Sequence, residues 1–321
     1  IWIDFSIRRF CKKLKIKSYV CHGMTLYHPD DLPFAISNVP KVFTDFRKKC
    51  EKYGSIRSTF DTINSLEKCI EIPSDPLPES ISTASESFKT DHRSVISFKG
   101  GEIHGLKRLS TYFWDADALK DYKFTRNGLL GANYSSKFSP WLANGNLSPR
   151  YVFEEVKKYE TERKKNISTY WLIFELIWRD FFYYACEKFG ARFFYPSGPY
   201  GVIRKWPLNA KYFKDWCDGN TGEPFVDANM KELNKTGFMS NRGRQITASY
   251  LINNMDQPWL AGAEYFESKL IDHDPASNYG NWAYIAGVGH DPRKGRYFDV
   301  QKQVEKYDPD GEYQDLWLGK S

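Results

Sequence analysis

Apolar residues recur at helical spacing through most of this 321-residue chain, and strand-like alternation is nearly absent beyond about residue 99. Ser148-Pro149 couples an N-cap hydroxyl to a proline at the first helical position, with Val152 and Val156 on the face that follows. Ser168 reads as the cap of a long apolar helix that Gly190 stops. Pro224 opens another, with Val226, Met230 and Leu233 on its apolar side and Gly237 at its end. Further helices are predicted over 240–253 and 262–271. The fold class is therefore mainly α from about residue 99 onward.

The N-terminal third reads differently. A basic helix over 5–14 and a strand over 16–20 are too little to bury a core, so residues 1–24 look like the remnant of an α/β domain. Pro29, Pro33 and Pro40 punctuate a loop, and 39–53 carries a short amphipathic helix. Residues 72–93 are rich in Ser, Pro and Glu, a composition that buries too little to offset chain entropy. The division is thus 1–24, a linking region 25–98 with one short helix and a low-complexity loop, and a helical domain 99–321.

Composition narrows the function classes. Apolar residues make up 41% of the chain, and no run approaches the roughly 18 a membrane helix needs. The net charge of +6 permits a polyanionic partner without demanding one. Six scattered cysteines, none in a CxxC pair, argue against a metal site or a disulfide framework and for a reducing compartment. Aromatic residues reach 17%, with ten Trp, and aromatic faces stack on flat ligands and unpaired bases as well as filling cores.

Three clusters carry candidate chemistry. On the long helix, Trp171, Glu175, Trp178 and Arg179 share one stripe, and Arg179 is the expected partner of a buried Glu175. This is either a structural ion pair or the wall of a pocket. Ser135, Ser136 and Ser139 lie in a loop before a helix, where hydroxyls and free N–H groups suit a phosphate. Finally, Arg244 precedes Asp272 and Asp274. Both aspartates are expected at the C-terminal end of the 262–271 helix, where the dipole opposes them and a cation is needed.

The stretches YKFTRNGLLG, SSKFSPWLANGNLSPRYVFEEVKKYE, STYWLIFELIWRDFF, TGEPFVDANMKELNKTGFMSNRGRQ and LIDHDPASNYGNWAYIAGVGHDPRKGRYF follow one another in order. Together they closely resemble the FAD-binding domain of photolyases and cryptochromes. NRGRQ and the Trp282-Ala283-Tyr284 ending resemble the DASH subgroup, and TLYHPDDLPF extends the likeness to about residue 25.

The resemblance implies roles by position. Tyr122, Ser135, Ser136, Phe138, Ser139, Arg179, Arg244, Asp272, Asp274 and Asn278 match FAD contacts, with Asn278 facing flavin N5 and Arg244 paired to Asp272. Arg126, Glu175, Trp178, Asn241 and Gln245 match the cavity for a flipped-out pyrimidine dimer, with Glu175, Trp178 and Asn278 closest to the chemistry. Trp282, Trp259 and Trp206 match an electron relay that runs from flavin to surface. The implied activity is blue-light repair of cyclobutane pyrimidine dimers in single-stranded DNA, with RNA as a further substrate to consider. A receptor that signals without repair, or an inactive fragment, is the alternative. A folate antenna belongs to the family, but its domain is largely missing here, with only residues 1–24 as a remnant. The chain is expected to be a monomer off the membrane and inside the cell, with plastid and mitochondrion both open. Asn144, Asn146, Pro258 and Leu260 depart from the family's usual residues.

Overall fold

The computed structural model describes residues 2–60, 90–290 and 296–319, and local capping chemistry sets several of its helix boundaries. Fourteen α-helices are described: α1 Trp2–Lys13, α2 Phe43–Tyr53, α3 Glu102–Ser110, α4 Tyr122–Thr125, α5 Ser139–Ala143, α6 Pro149–Glu162 and α7 Ile167–Phe189, then α8 Ala210–Asp218, α9 Pro224–Thr236, α10 Asn241–Ser249, α11 Trp259–Lys269, α12 Pro275–Ala286, α13 Val300–Tyr307 and α14 Glu312–Leu318. Among the described residues there is no β-strand.

The Ser148 side chain accepts from the Tyr151 N–H with Pro149 at the first helical position, as the sequence predicts for α6. Gly190 ends α7, and Gly237 ends α9 in the left-handed region at φ +68°. At Gly237 a Cβ would also lie 2.7 Å from the Ile271 side chain, so only glycine fits.

Two expectations are corrected. The cap of α7 is Asn166, not Ser168. Asn166 accepts from the N–H groups of Ser168 and Thr169, and Thr169 returns a bond to the Asn166 N–H. Ser168 is freed to accept from the Lys123 N–H over 3.2 Å, which ties α4 to the start of α7. Residues 16–20 form no strand, because a lone extended segment has no neighbour to take its backbone hydrogen bonds. Most of the Ser/Pro/Glu-rich stretch, and Cys69, lie outside the described residues.

The apolar pattern of α7 explains its place. Leu172, Ile173, Leu176, Ile177, Phe181 and Phe182 are buried on several sides, and α2, α4, α6 and α12 all pack on this helix. The α12 contact is close, since a Cβ at Gly280 would stand 2.3 Å from the Phe182 ring. Leu26, Tyr27, Phe43, Phe46 and Cys50 join the same core. Burying each such large side chain stabilises by about 1.5–3 kcal/mol. Asp180 on α7 fixes this N-terminal segment, accepting from the N–H groups of Leu26 and Tyr27 at 2.9 and 2.8 Å.

Candidate cofactor and substrate site

A cavity of about 300 Å³ opens where α4, the loop before α5, α7, α10 and α12 converge. Its walls gather residues that are far apart in sequence. Tyr122 and Arg126 come from α4 and its end. Ser135, Ser136 and Phe138 come from the loop, Ser139 from the first position of α5, and Glu175 and Arg179 from α7. Asn241, Arg244 and Gln245 come from α10, and Asp272, Asp274, Asn278 and Trp282 from the approach to α12 and that helix itself.

The loop is shaped by a buried guanidinium. Arg108 donates to the carbonyls of Ser136, Ala132 and Ser135 at 2.9, 2.8 and 3.1 Å. With those carbonyls occupied, the loop's hydroxyls and N–H groups are what it can offer a ligand. Lys137 adopts φ +55°, a left-handed turn that a non-glycine residue takes only under tertiary constraint. Its ammonium donates to the Ala132 carbonyl over 2.9 Å, and burial pushes it down to about 6.

Arg244 donates to Asp272 Oδ2 over 2.8 Å, as expected, and also to the Met239 carbonyl over 2.9 Å. Ser139 adds a 2.5 Å bond to the same Asp272 oxygen. Asp272 Oδ1 is buried without a partner. Asn278 donates to the Ala263 carbonyl over 2.9 Å, which fixes the amide with its oxygen as the free end.

Two pairings differ from the sequence reading. Glu175 pairs with Arg126 rather than Arg179. The Arg179 guanidinium is taken up by the carbonyls of Met24 and Leu142, so it binds the N-terminal segment and α5 to α7. Burial pushes the Glu175 carboxyl up, against the pull of Arg126. The aspartates also sit differently, because α11 ends at Lys269 and both lie beyond it. Asp274 caps the next helix, accepting from the Ser277 N–H over 2.7 Å, so its charge meets a favourable dipole.

The structure separates some predicted residues from the cavity. Trp178 does not line it. Its ring stacks on Phe43 at 3.7 Å and 10° and meets Tyr284 edge-on at 6.0 Å. Of the three relay candidates only Trp282 lines the cavity. Trp259 is fully buried, Trp206 is partly exposed, and both donate to the Pro196 carbonyl, at 3.0 and 3.2 Å. Pro258 simply caps α11 ahead of Trp259, and Asn144 donates to the Pro140 carbonyl over 2.8 Å at the end of α5.

Other residues were not singled out from sequence. His273 sits on the wall between the two aspartates with both ring nitrogens buried and without hydrogen bonds. Trp216 is fully buried with its ring 6.0 Å from Trp282. His273 and Lys137 fall inside motifs already flagged, whereas nothing local marks Trp216.

The family model for the FAD binding domain of DNA photolyase matches residues 171–320. Cryptochrome DASH of Gloeobacter violaceus is 53% identical over 296 residues, covering 92% of this chain and 59% of that protein. The crystal structure of Synechocystis cryptochrome superposes with a TM-score of 0.87 at 50% identity, covering 97% of this chain and 64% of that one. The chain belongs to the photolyase/cryptochrome family. A class III photolyase from Agrobacterium tumefaciens superposes at a TM-score of 0.84 with 29% identity, covering 98% of this chain and 65% of that one. This family member spans about three-fifths of the length of the Gloeobacter relative.

The residues present fit the family's FAD. Asp272 Oδ1 wants a donor such as a ring N–H, and Asn278 offers a free amide oxygen. The serine loop offers hydroxyls and N–H groups to a diphosphate.

Proposed function

We propose that this chain is the FAD-holding, light-driven part of an enzyme that splits cyclobutane pyrimidine dimers in single-stranded DNA. One observation carries the reading. A single cavity is lined both by the residues matched to FAD and by Arg126, Glu175, Asn241 and Gln245, which are matched to the dimer.

Bound FAD supplies light absorption and, when reduced, a transferable electron. The protein's part is positional. Tyr122, Ser135, Ser136, Phe138, Ser139, Arg179, Arg244, Asp272, Asp274 and Asn278 form the cofactor side. Glu175, its carboxyl raised by burial, is suited to hydrogen-bond a pyrimidine carbonyl, and that bond strengthens as negative charge develops there. Arg126 balances Glu175 and offers a cation to phosphate. Trp178, outside the cavity lining, holds Phe43 rather than the dimer in this reading. Trp282, Trp259 and Trp206 serve as the relay that recharges the cofactor.

Extruding a base costs a few kcal/mol, and least where strands are already unpaired, which favours a single-stranded substrate. We further propose the division into 1–24, 25–98 and 99–321, with a folate antenna expected for the family but most of its domain missing from this chain. A cryptochrome DASH of Oryza sativa, 52% identical over 304 residues, is named chloroplastic/mitochondrial, and the same compartments are proposed here.

The test is repair. FAD-loaded, reduced protein under blue light should restore thymine dimers in a single-stranded oligonucleotide, act poorly on the same lesion in a duplex, and do nothing in the dark. Dimers left intact while the flavin photoreduces normally would replace this reading with that of a light receptor.

A further inference from the structure

The helix that brings Tyr122 and Arg126 to the cavity also carries a lysine within reach of two aromatic rings, Phe124 and Trp171, that no role assigned so far uses. Phe124, 74% exposed, stands on α4 between Tyr122 and Arg126, both of which line the cavity. The Lys123 Nζ lies 4.8 Å from the centre of the Trp171 ring and 5.8 Å from that of Phe124. Trp171 in turn stacks on Phe174 at 4.8 Å and 23°.

An isolated exposed apolar side chain calls for no explanation. This one differs in two respects. It stands on a short helix that is anchored, because Ser168 takes the Lys123 N–H and Asn166 donates to the Lys120 carbonyl over 2.8 Å. It also shares a cation with a second aromatic ring. A flat aromatic face with the Lys123 ammonium beside it is complementary to a nucleobase with its phosphate. Proteins that grip single strands combine the same two elements, stacking faces and cations along the backbone.

We propose that Phe124, Lys123 and Trp171 form a platform on which the nucleotide next to the one in the cavity stacks, with Lys123 meeting its phosphate. The inference rests on the reading of the occupant as a single DNA strand and adds where that strand runs. It requires no rearrangement of α4, since Phe124 already faces solvent.

The experiment measures binding by the full FAD-loaded chain, using fluorescence anisotropy of three dye-labelled probes. These are a thymine-dimer dinucleotide, a pentanucleotide with the dimer at its centre, and the undamaged pentanucleotide. Wild type should bind the damaged pentanucleotide more tightly than the dinucleotide. Phe124→Ala should weaken both pentanucleotides about tenfold, the scale of one lost base stack. Phe124→Trp should keep the wild-type affinity. Ile103→Ala, an exposed apolar residue on α3, should have no effect. Lys123→Gln should lower the salt dependence by about one counterion.

Pentanucleotide affinities within twofold of wild type in Phe124→Ala would overturn the platform. So would a change confined to self-association, which would make Phe124 a contact between copies. Failure of the wild type to prefer damaged over undamaged strand would instead strike the proposed repair function, while the Phe124 dependence could still be read on the undamaged probe. Wild type that binds none of the three probes would overturn both.

Discussion

Arg244 and Asp272 are joined by a 2.8 Å bond that uses only one carboxylate oxygen, leaving Asp272 Oδ1 buried and without a partner on the cavity wall. An unsatisfied buried acceptor costs about 1–3 kcal/mol, which a ligand N–H placed there recovers. Asp272→Ala should therefore weaken FAD retention by roughly 5- to 150-fold, since it also strips Arg244 and Ser139 of their acceptor. Asp272→Asn, which keeps the shape but loses the charge, should fall between. Flavin absorbance before and after dialysis reads the effect, with circular dichroism to verify folding. Full FAD occupancy in Asp272→Ala would remove this residue from the cofactor's contacts.

The relay prediction follows from ring geometry. Trp282 lines the cavity, and its ring meets Phe266 at 5.1 Å and Trp216 at 6.0 Å. Trp282→Phe keeps a ring that is much harder to oxidise, so photoreduction by an external thiol should drop sharply while FAD stays bound. Trp259→Phe should act nearly as strongly, and Trp206→Phe less. Trp216→Phe, beside the first ring, should give a partial loss. If Trp282→Phe photoreduces at the wild-type rate, the electron reaches the flavin by a route that does not include this residue.

Which of these features the sequence displays depends on whether their cause is local. Ser148-Pro149, Pro224, Gly190 and Gly237 act within one or two turns, and the helix ends stand where those residues place them. The site motifs were legible for another reason: long ordered stretches carry their positions with them, so most of the named residues meet at one cavity. Partner choice was not legible. Arg179 is one turn from Glu175, yet Arg126, 49 positions earlier in the chain, takes the carboxylate because α4 packs on α7 there. Trp178 shares a stripe with Glu175, but Phe43 from a distant helix offers it a stacking face. Asp274 was read as the end of one helix when it caps the next, a difference of a few residues that reverses the sign of its dipole interaction.

Gly262 tests how tightly the relay is held. A Cβ there would lie 2.3 Å from the Trp282 ring and 2.6 Å from Leu251, so α11 and α12 touch at this glycine. Trp282 cannot simply retreat, since Phe266 and Trp216 back its ring. Gly262→Ala should cost about 1–3 kcal/mol by overpacking and lower the melting temperature by a few degrees. Photoreduction should slow as the indole shifts. A variant matching wild type in both melting and photoreduction would show that the contact yields freely.

Glu232 gives a pH dependence whose sign can be fixed in advance. It is 1% exposed on α9, with Oε2 accepting from the Tyr313 hydroxyl over 2.6 Å and Oε1 unpartnered. Burial pushes its carboxyl up to about 7, opposed by the Tyr313 bond and by Lys137 and Arg244. The folded pKa lies above the unfolded one, so between about pH 4.5 and 7 the folded chain keeps a proton the unfolded chain has released. That contribution to stability is complete below the window and is lost as pH rises through it, by at most about 3 kcal/mol. Lys137 shifts the other way, down to about 6, so its contribution grows with rising pH above that value and must be separated out. Glu232→Gln does so, because glutamine mimics the protonated acid and leaves Lys137 in place. Denaturant unfolding of the two proteins should agree at pH 4.5, with the variant progressively more stable than wild type up to pH 8. Curves that stay parallel from pH 4.5 to 8 would mean Glu232 is charged in the folded protein, with Lys137 or Arg244 close enough to keep it so.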